Sequence, residues 1–216
     1  LDLRRQLPFQ DYLKAERSFG GNVEWNYHHL FGDHFSVDWN QQFFYTRIGT
    51  PVVVFENSGG QFVWFNESDP LTTTGLDHYL RMLFKDLELY LGYTYQDARR
   101  RWNITHPRVP LTPRHRAAGV FSISLGKHFR TGIESAWTGK QTLESGSKTR
   151  SYWFVAGMLG AHFGHFDIVL NGENLLDFRQ SRYEQIVLPP YSNPTFRPLW
   201  APVEGRVINF AVAWRR

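Results

Sequence analysis

The chain has no cysteine. Disulfide bridging, thiolate metal sites and catalysis by a cysteine nucleophile are therefore excluded. It also lacks any apolar run approaching the ~18–20 residues that a membrane-spanning helix needs, which leaves a closed β-barrel as its only route across a bilayer. The N-terminal stretch LDLRRQLPFQ has no initiator Met and none of the apolar core of a signal peptide. Helical periodicity is scarce throughout. The net charge of +4 and pI near 9.4 would suit a polyanionic partner. Basic residues are scattered, however, and the one cluster, ARRRW at Ala98 to Trp102, comes with no base-stacking motif or reader helix, so no nucleic-acid partner is expected.

What the chain does have is rings. Aromatic residues make up 17% of it, with eight Trp, ten Tyr and eighteen Phe, while the mean hydropathy is only −0.42. Amphipathic rings accumulate where one end of a side chain is apolar and the other wet, as at membrane interfaces.

Period-two alternation recurs along most of the sequence and predicts an all-β protein. In LELYLGYTYQDARR, Leu87, Leu89, Leu91, Tyr93 and Tyr95 share one face, and Glu88, Tyr90, Gly92 and Thr94 the other. Similar segments begin at Ala15, His34, Leu71, His115, His128, Thr149, His165 and Gly205, giving nine strands of about ten to fourteen residues, longer than the five or six usual in soluble sheets. Tight turns at FGDH, Lys85-Asp86, Gly126-Lys127 and Gly164-His165 alternate with long loops near 49–70, 99–113, 140–148 and 176–204. Short and long connections alternate in this way in up-and-down membrane barrels, where periplasmic turns are short and extracellular loops long. The expected architecture is an antiparallel up-and-down transmembrane β-barrel. Nine strands do not close in the usual even-numbered way, so the chain is expected to be part of a larger barrel.

Ring residues fall at strand ends, where two membrane girdles are expected. Phe84, Phe129, Phe166 and Trp214 lie beside the short turns, and Tyr45 and Tyr95 toward the long loops.

The stretches AERSFGGNVEWNY, FFYTRIGTPVV, LGYTYQDARR, PLTPRHRAAG, LNGENLLDFRQSRYE and WAPVEGRVINFAVAWR, spread from Ala15 to Arg215, resemble the C-terminal part of a TonB-dependent outer-membrane receptor of the kind common in Bacteroidetes. The resemblance implies a 22-stranded barrel of which residues 1–216 supply roughly the last nine strands, with the plug domain absent from this chain. It further implies loops that capture a scarce ligand, such as a ferric siderophore, haem or a similar iron complex. Its implied partners are the TonB-ExbB-ExbD system through the plug, and outer-membrane lipid with lipopolysaccharide. The chain departs from the family at its end, where Arg215 and Arg216 follow Trp214 in place of a terminal aromatic residue. A passive porin-like or adhesin-like barrel is the alternative, and an outer-membrane enzyme a more remote one.

Candidate sites are few. His28 and His29 are strand neighbours that point to opposite faces, and His162 and His165 flank a tight turn with only Asp167 nearby, so no metal is expected. No nucleophile sits in a motif with an orienting partner, so neither an enzyme nor a resident cofactor is expected. NES and NIT match glycosylation sequons, matches that arise cheaply and mean little if the protein is bacterial. The loop VLPPYSNPTFRPLWAP, with five prolines and the rings Tyr191, Phe196 and Trp200, is either a stiff extracellular loop over the barrel mouth or a ligand-contacting wall. DARRRW is either a solvated loop base near anionic lipopolysaccharide or an anion clamp for a carboxylate- or catecholate-bearing ferric chelate. Within it, alternation aims Arg100 at the lumen.

Overall fold

The computed structural model describes residues 12–215. Alternating sequence becomes strand at each of the nine expected places. β1 (Ser18–Phe31), β2 (Phe35–Ile48), β5 (Leu71–Phe84), β6 (Leu87–Arg100), β7 (His115–Leu125), β8 (Phe129–Thr138), β9 (Tyr152–Phe163), β10 (Phe166–Glu173) and β13 (Val207–Trp214) form one antiparallel sheet in chain order. Two smaller hairpins, β3 (Val52–Glu56) with β4 (Phe62–Asn66), and β11 (Val187–Leu188) with β12 (Thr195–Phe196), lie inside the long connections. β1 and β13 are the edges of the large sheet, so it is an open arc of barrel wall among the described residues.

Three of the four short turns place a glycine at positive φ, Gly32, Gly126 and Gly164, and the fourth uses Lys85 at +52°. These tight reversals need left-handed backbone, which glycine supplies without steric cost. They fix the pairings, Phe31 opposite Phe35, Phe84 opposite Leu87, Leu125 opposite Phe129 and Phe163 opposite Phe166.

Because a strand's side chains alternate, fixed register sorts the sheet into two faces. One bears Phe19, Val23, Trp25, Phe31, Phe43, Phe84, Leu91, Ile133, Trp153, Leu159, Phe166, Phe210 and Trp214, all exposed. A register line across it runs Trp25, Gln41, His78, Tyr93, Ala117, Trp137, Trp153. The other face is polar. One of its lines runs Glu24, Gln42, Asp77, Thr94, Arg116, Thr138, Tyr152, and the next, toward the short turns, runs Asn26, Asn40, Tyr79, Gly92, Ala118, Ala136, Phe154.

This wall has no dry interior. Among the described residues the one large apolar side chain counted as buried is Trp200, 7% exposed, and it belongs to a loop.

The structure corrects the sequence reading in three places. β10 and β13 are eight residues each, shorter than expected, because the segment through Asp177 leaves the sheet after Glu173, with Asn174 at φ +47° and Asp177 at +53°. β6 continues to Arg100, so the following loop starts later than position 99. The 49–70 connection holds the β3–β4 hairpin, turned by Asn57, whose Oδ1 accepts from the backbone N–H groups of Gly59 and Gln61 at 3.0 Å each.

Candidate functional site

The long connection between β10 and β13 folds as a packed unit on the polar face. Its two ends are tied by Asn174, 2% exposed, whose Nδ2 donates to the carbonyls of Phe178 and Glu204 at 3.0 Å each, while its Oδ1 accepts from the Phe178 N–H at 3.0 Å. Arg206 reinforces this neck by donating to the Leu175 carbonyl at 2.7 Å. Asp177 takes the guanidinium groups of Arg179, at 3.1 Å, and Arg182.

Deeper in the unit Gln180 is fully buried and uses both ends of its amide. Nε2 donates to Glu184 at 2.8 Å and to the Pro198 carbonyl at 2.9 Å, and Oε1 accepts from the Trp200 N–H at 2.9 Å. A buried amide with all its groups paired holds its surroundings in one arrangement, since each unmade bond would cost ~1–3 kcal/mol. Around it Phe178 stacks on Tyr152 at 5.0 Å, Trp200 lies 6.3 Å from Tyr152, and Trp200 Nε1 donates to Glu184. Gln141, from the 139–151 loop, donates to the Trp200 carbonyl at 2.8 Å.

The result is a roof. Leu199 and Trp200, with Leu111 and Pro113 from the β6–β7 loop, close one side of a cavity of about 680 Å³ on the polar face. Its floor is Gly92, Ala118 and Ala136, where small residues leave the space, and its wall carries Asp77, Tyr79, Thr94, Arg116, Thr138 and Tyr152. Thr94 Oγ1 donates to Asp77 Oδ1 at 2.6 Å. The Arg116 guanidinium, two cross-strand steps from Asp77, has no hydrogen-bond or ion-pair partner among the described residues. An unpaired guanidinium beside hydroxyls and ring faces can take a planar anionic group through charge-assisted, bidentate hydrogen bonds.

The sequence candidates are divided by this geometry. Trp200 lines the cavity. Tyr191 and Phe196 stand 70% and 67% exposed, away from its lining. Arg100 faces the polar side as alternation required, yet its guanidinium is engaged by Glu144 at 2.7 and 2.9 Å and by the His106 carbonyl at 3.1 Å. It ties two loops together and is not among the residues that line the cavity. Arg116 was missed, although the alternation of HRAAGVFSISLG already put it on one face with Ala118 and Ser122. Tyr45, Tyr95, Phe84, Phe129, Phe166 and Trp214 all share the ring-bearing face by register. His28 pairs with Asp38 at 2.5 Å and His162 with Asp167 at 2.7 Å, and no group of three metal-ligating side chains occurs among the described residues.

A ring-bearing face opposite a polar one, with short turns at one end and folded loops at the other, is the arrangement of an up-and-down β-barrel wall. No protein-family model matches the chain, and no curated protein matches it in sequence. Among solved structures, it is similar to the FrpB iron transporter of Neisseria meningitidis, with a TM-score of 0.65 and 13% identity, covering 95% of this chain and 32% of that one. It is also similar to the siderophore receptor PirA of Acinetobacter baumannii, with a TM-score of 0.62, 15% identity and coverage of 94% and 32%. A variant of the ferric enterobactin receptor PfeA of Pseudomonas aeruginosa, in complex with enterobactin, gives 0.63, 16%, 77% and 27%. The chain spans less than a third of each of these. The shared fold is that of TonB-dependent siderophore receptors, and the partial coverage fits a C-terminal portion of their barrel.

Proposed function

We propose that this chain is the C-terminal wall and outer loops of a TonB-dependent receptor that imports a ferric siderophore or a similar iron complex across the outer membrane. The observation that carries the reading is the roofed cavity on the polar face, with Arg116 in its wall unpaired among the described residues.

Ferric chelates present carboxylate or catecholate oxygens around a bulky apolar body. Arg116 would take the anionic edge, while the ring faces of Tyr79, Tyr152 and Trp200 would cover the body. Thr94 stands between Asp77 and Arg116 in the register and donates to the Asp77 carboxylate, which engages one of its oxygens. A plug domain outside this chain would complete the floor and couple release to TonB-ExbB-ExbD. Tyr45, Tyr95, Phe84, Phe129, Phe166 and Trp214 would sit at the two lipid interfaces.

Uptake of radiolabelled ferric siderophores by cells carrying the complete receptor as their sole candidate transporter tests this. Accumulation should require both the receptor and an intact TonB. Uptake that persists without TonB would instead mark a passive pore, and binding without uptake an adhesin.

A further inference from the structure

The roofed cavity carries one acid and one base in its lining, Asp77 and Arg116, and their formal charges cancel. They stand on β5 and β7 with Thr94 of β6 between them in the register, about 10 Å apart across two strand spacings. Side chains rise roughly perpendicular to a sheet, so the separation carries over to the charged ends, and the two form no ion pair with each other among the described residues. Each keeps capacity for a guest. Thr94 occupies Asp77 Oδ1 at 2.6 Å, while Oδ2 has no hydrogen-bond or ion-pair partner among the described residues. Tyr79, two residues along β5 and so on the same face, adds a ring to the acidic side of the cavity. On the basic side Arg116 has Thr138 and then Tyr152 next to it in the register.

This balance selects against a strongly anionic guest. A lining made for a trianionic chelate gathers cations and no acid, because a carboxylate facing the same space repels that guest. An acid and a base held apart fit a guest that is itself dipolar. The cation it offers is a protonated amine, which donates a charge-assisted hydrogen bond to a carboxylate oxygen and is attracted to the face of a tyrosine ring. The spacing adds a demand. The two charges lie at opposite ends of a body, as on an open-chain chelate, and not on neighbouring atoms as in a free amino acid. We infer that the cavity takes a zwitterionic ferric chelate, with Arg116 on its anionic end and with Asp77 Oδ2 and the Tyr79 ring on its protonated amine, and that Asp77 sets this preference. This rests on the import reading above and narrows the cargo.

The test measures binding of four ferric chelates to the complete receptor, purified in detergent, by quenching of tryptophan fluorescence. Three share an uncharged ferric trihydroxamate core: an open chain with a free amine at one end and a free carboxylate at the other, the same chain with its amine acetylated, and the macrocycle that joins the two ends as an amide. The fourth is a trianionic ferric tris-catecholate. The parent should bind the open zwitterion most tightly and its acetylated form about tenfold to a hundredfold more weakly, the range of a lost charge-assisted hydrogen bond. The macrocycle, which leaves both Asp77 and Arg116 without a partner, should bind more weakly again. Asp77→Asn keeps an acceptor for Thr94 and should bind both open chains as the parent binds the acetylated one, while Asp77→Glu should retain the preference. Equal affinity of the parent for the two open chains, tightest binding of the tris-catecholate, or an amine preference that survives Asp77→Asn would each overturn the assignment and leave ferric-chelate import standing. So would weaker binding of the acetylated chain by Asp77→Asn than by the parent, which marks a structural role for the carboxylate. A parent that binds none of the four and imports none of them through TonB would overturn the import reading and the amine site together.

Discussion

Leu159→Arg separates a lipid-facing wall from a water-facing one. Leu159 lies on the ring-bearing face of β9, 59% exposed, between Trp153 near the loop end and Phe163 at the short turn. At about 3.3 Å per residue, Trp153 and Phe163 are ~33 Å apart along the strand, or roughly 25 Å along the membrane normal at a tilt of ~40°. Leu159 is then roughly 15 Å below one ring and 10 Å above the other, close to the midplane. Arginine there should cost about 2–4 kcal/mol in a bilayer, lowering the folding equilibrium constant by about thirtyfold to a thousandfold. In a water-facing sheet the same exposed position would tolerate the change within about 0.5 kcal/mol. The adjacent Met158 points to the polar face, so Met158→Arg is the matched control. Denaturant titration of the complete receptor in lipid vesicles reads both variants. If the two are equally stable, the assignment of faces to lipid and lumen fails.

Arg116→Gln removes one charge from the cavity wall and should raise the KM for ferric chelate uptake by about tenfold to a hundredfold, the range of a lost charge-assisted hydrogen bond, with receptor abundance unchanged. An unaltered KM would remove Arg116 from the site. Gln180→Leu strands the Trp200 N–H and the Pro198 carbonyl, so amide hydrogen exchange across 176–204 should accelerate while β9 stays protected. Unchanged exchange there would show that the amide is not what holds the roof. Gly75→Ala drives a Cβ into the Phe44 ring and the Tyr95 carbonyl oxygen, which should cost about 1–3 kcal/mol. Adding Phe44→Ala should not restore stability, because the backbone clash remains. Full rescue in the vesicle titration would contradict this.

The strands were legible because a sheet with one ring-bearing face and one polar face writes its two surroundings into every second residue. The turn glycines and Lys85 then fixed the register, and register alone placed Arg100 and Trp200's neighbour Tyr152 on the polar face. Which arginine is free was not legible. Arg100 is neutralised by Glu144, a loop contact across a long stretch of chain that no local period encodes, whereas Arg116 has no such partner among the described residues. The burial of Gln180 and Asn174 likewise depends on Glu204, Pro198 and Trp200 returning to them from the far end of the loop. The β3–β4 hairpin was present in the letters, as VVVFENSGGQFVWFN, two short apolar strands around Asn-Ser-Gly-Gly. The length of the connection hid it.

The neck at Asn174 and Arg206 brings the start and finish of the roof together at one point on the wall, and the roof's packing depends largely on its own residues. Such an insert behaves as a cartridge. If the chain serves the transport proposed above, a lineage changing its cargo could exchange everything between those two residues while β10 and β13 keep their pairing, and an engineer could do the same. On that reading the wall would change slowly, under the demands of the bilayer, while the roof would change at the pace of whatever chemistry the surroundings supply.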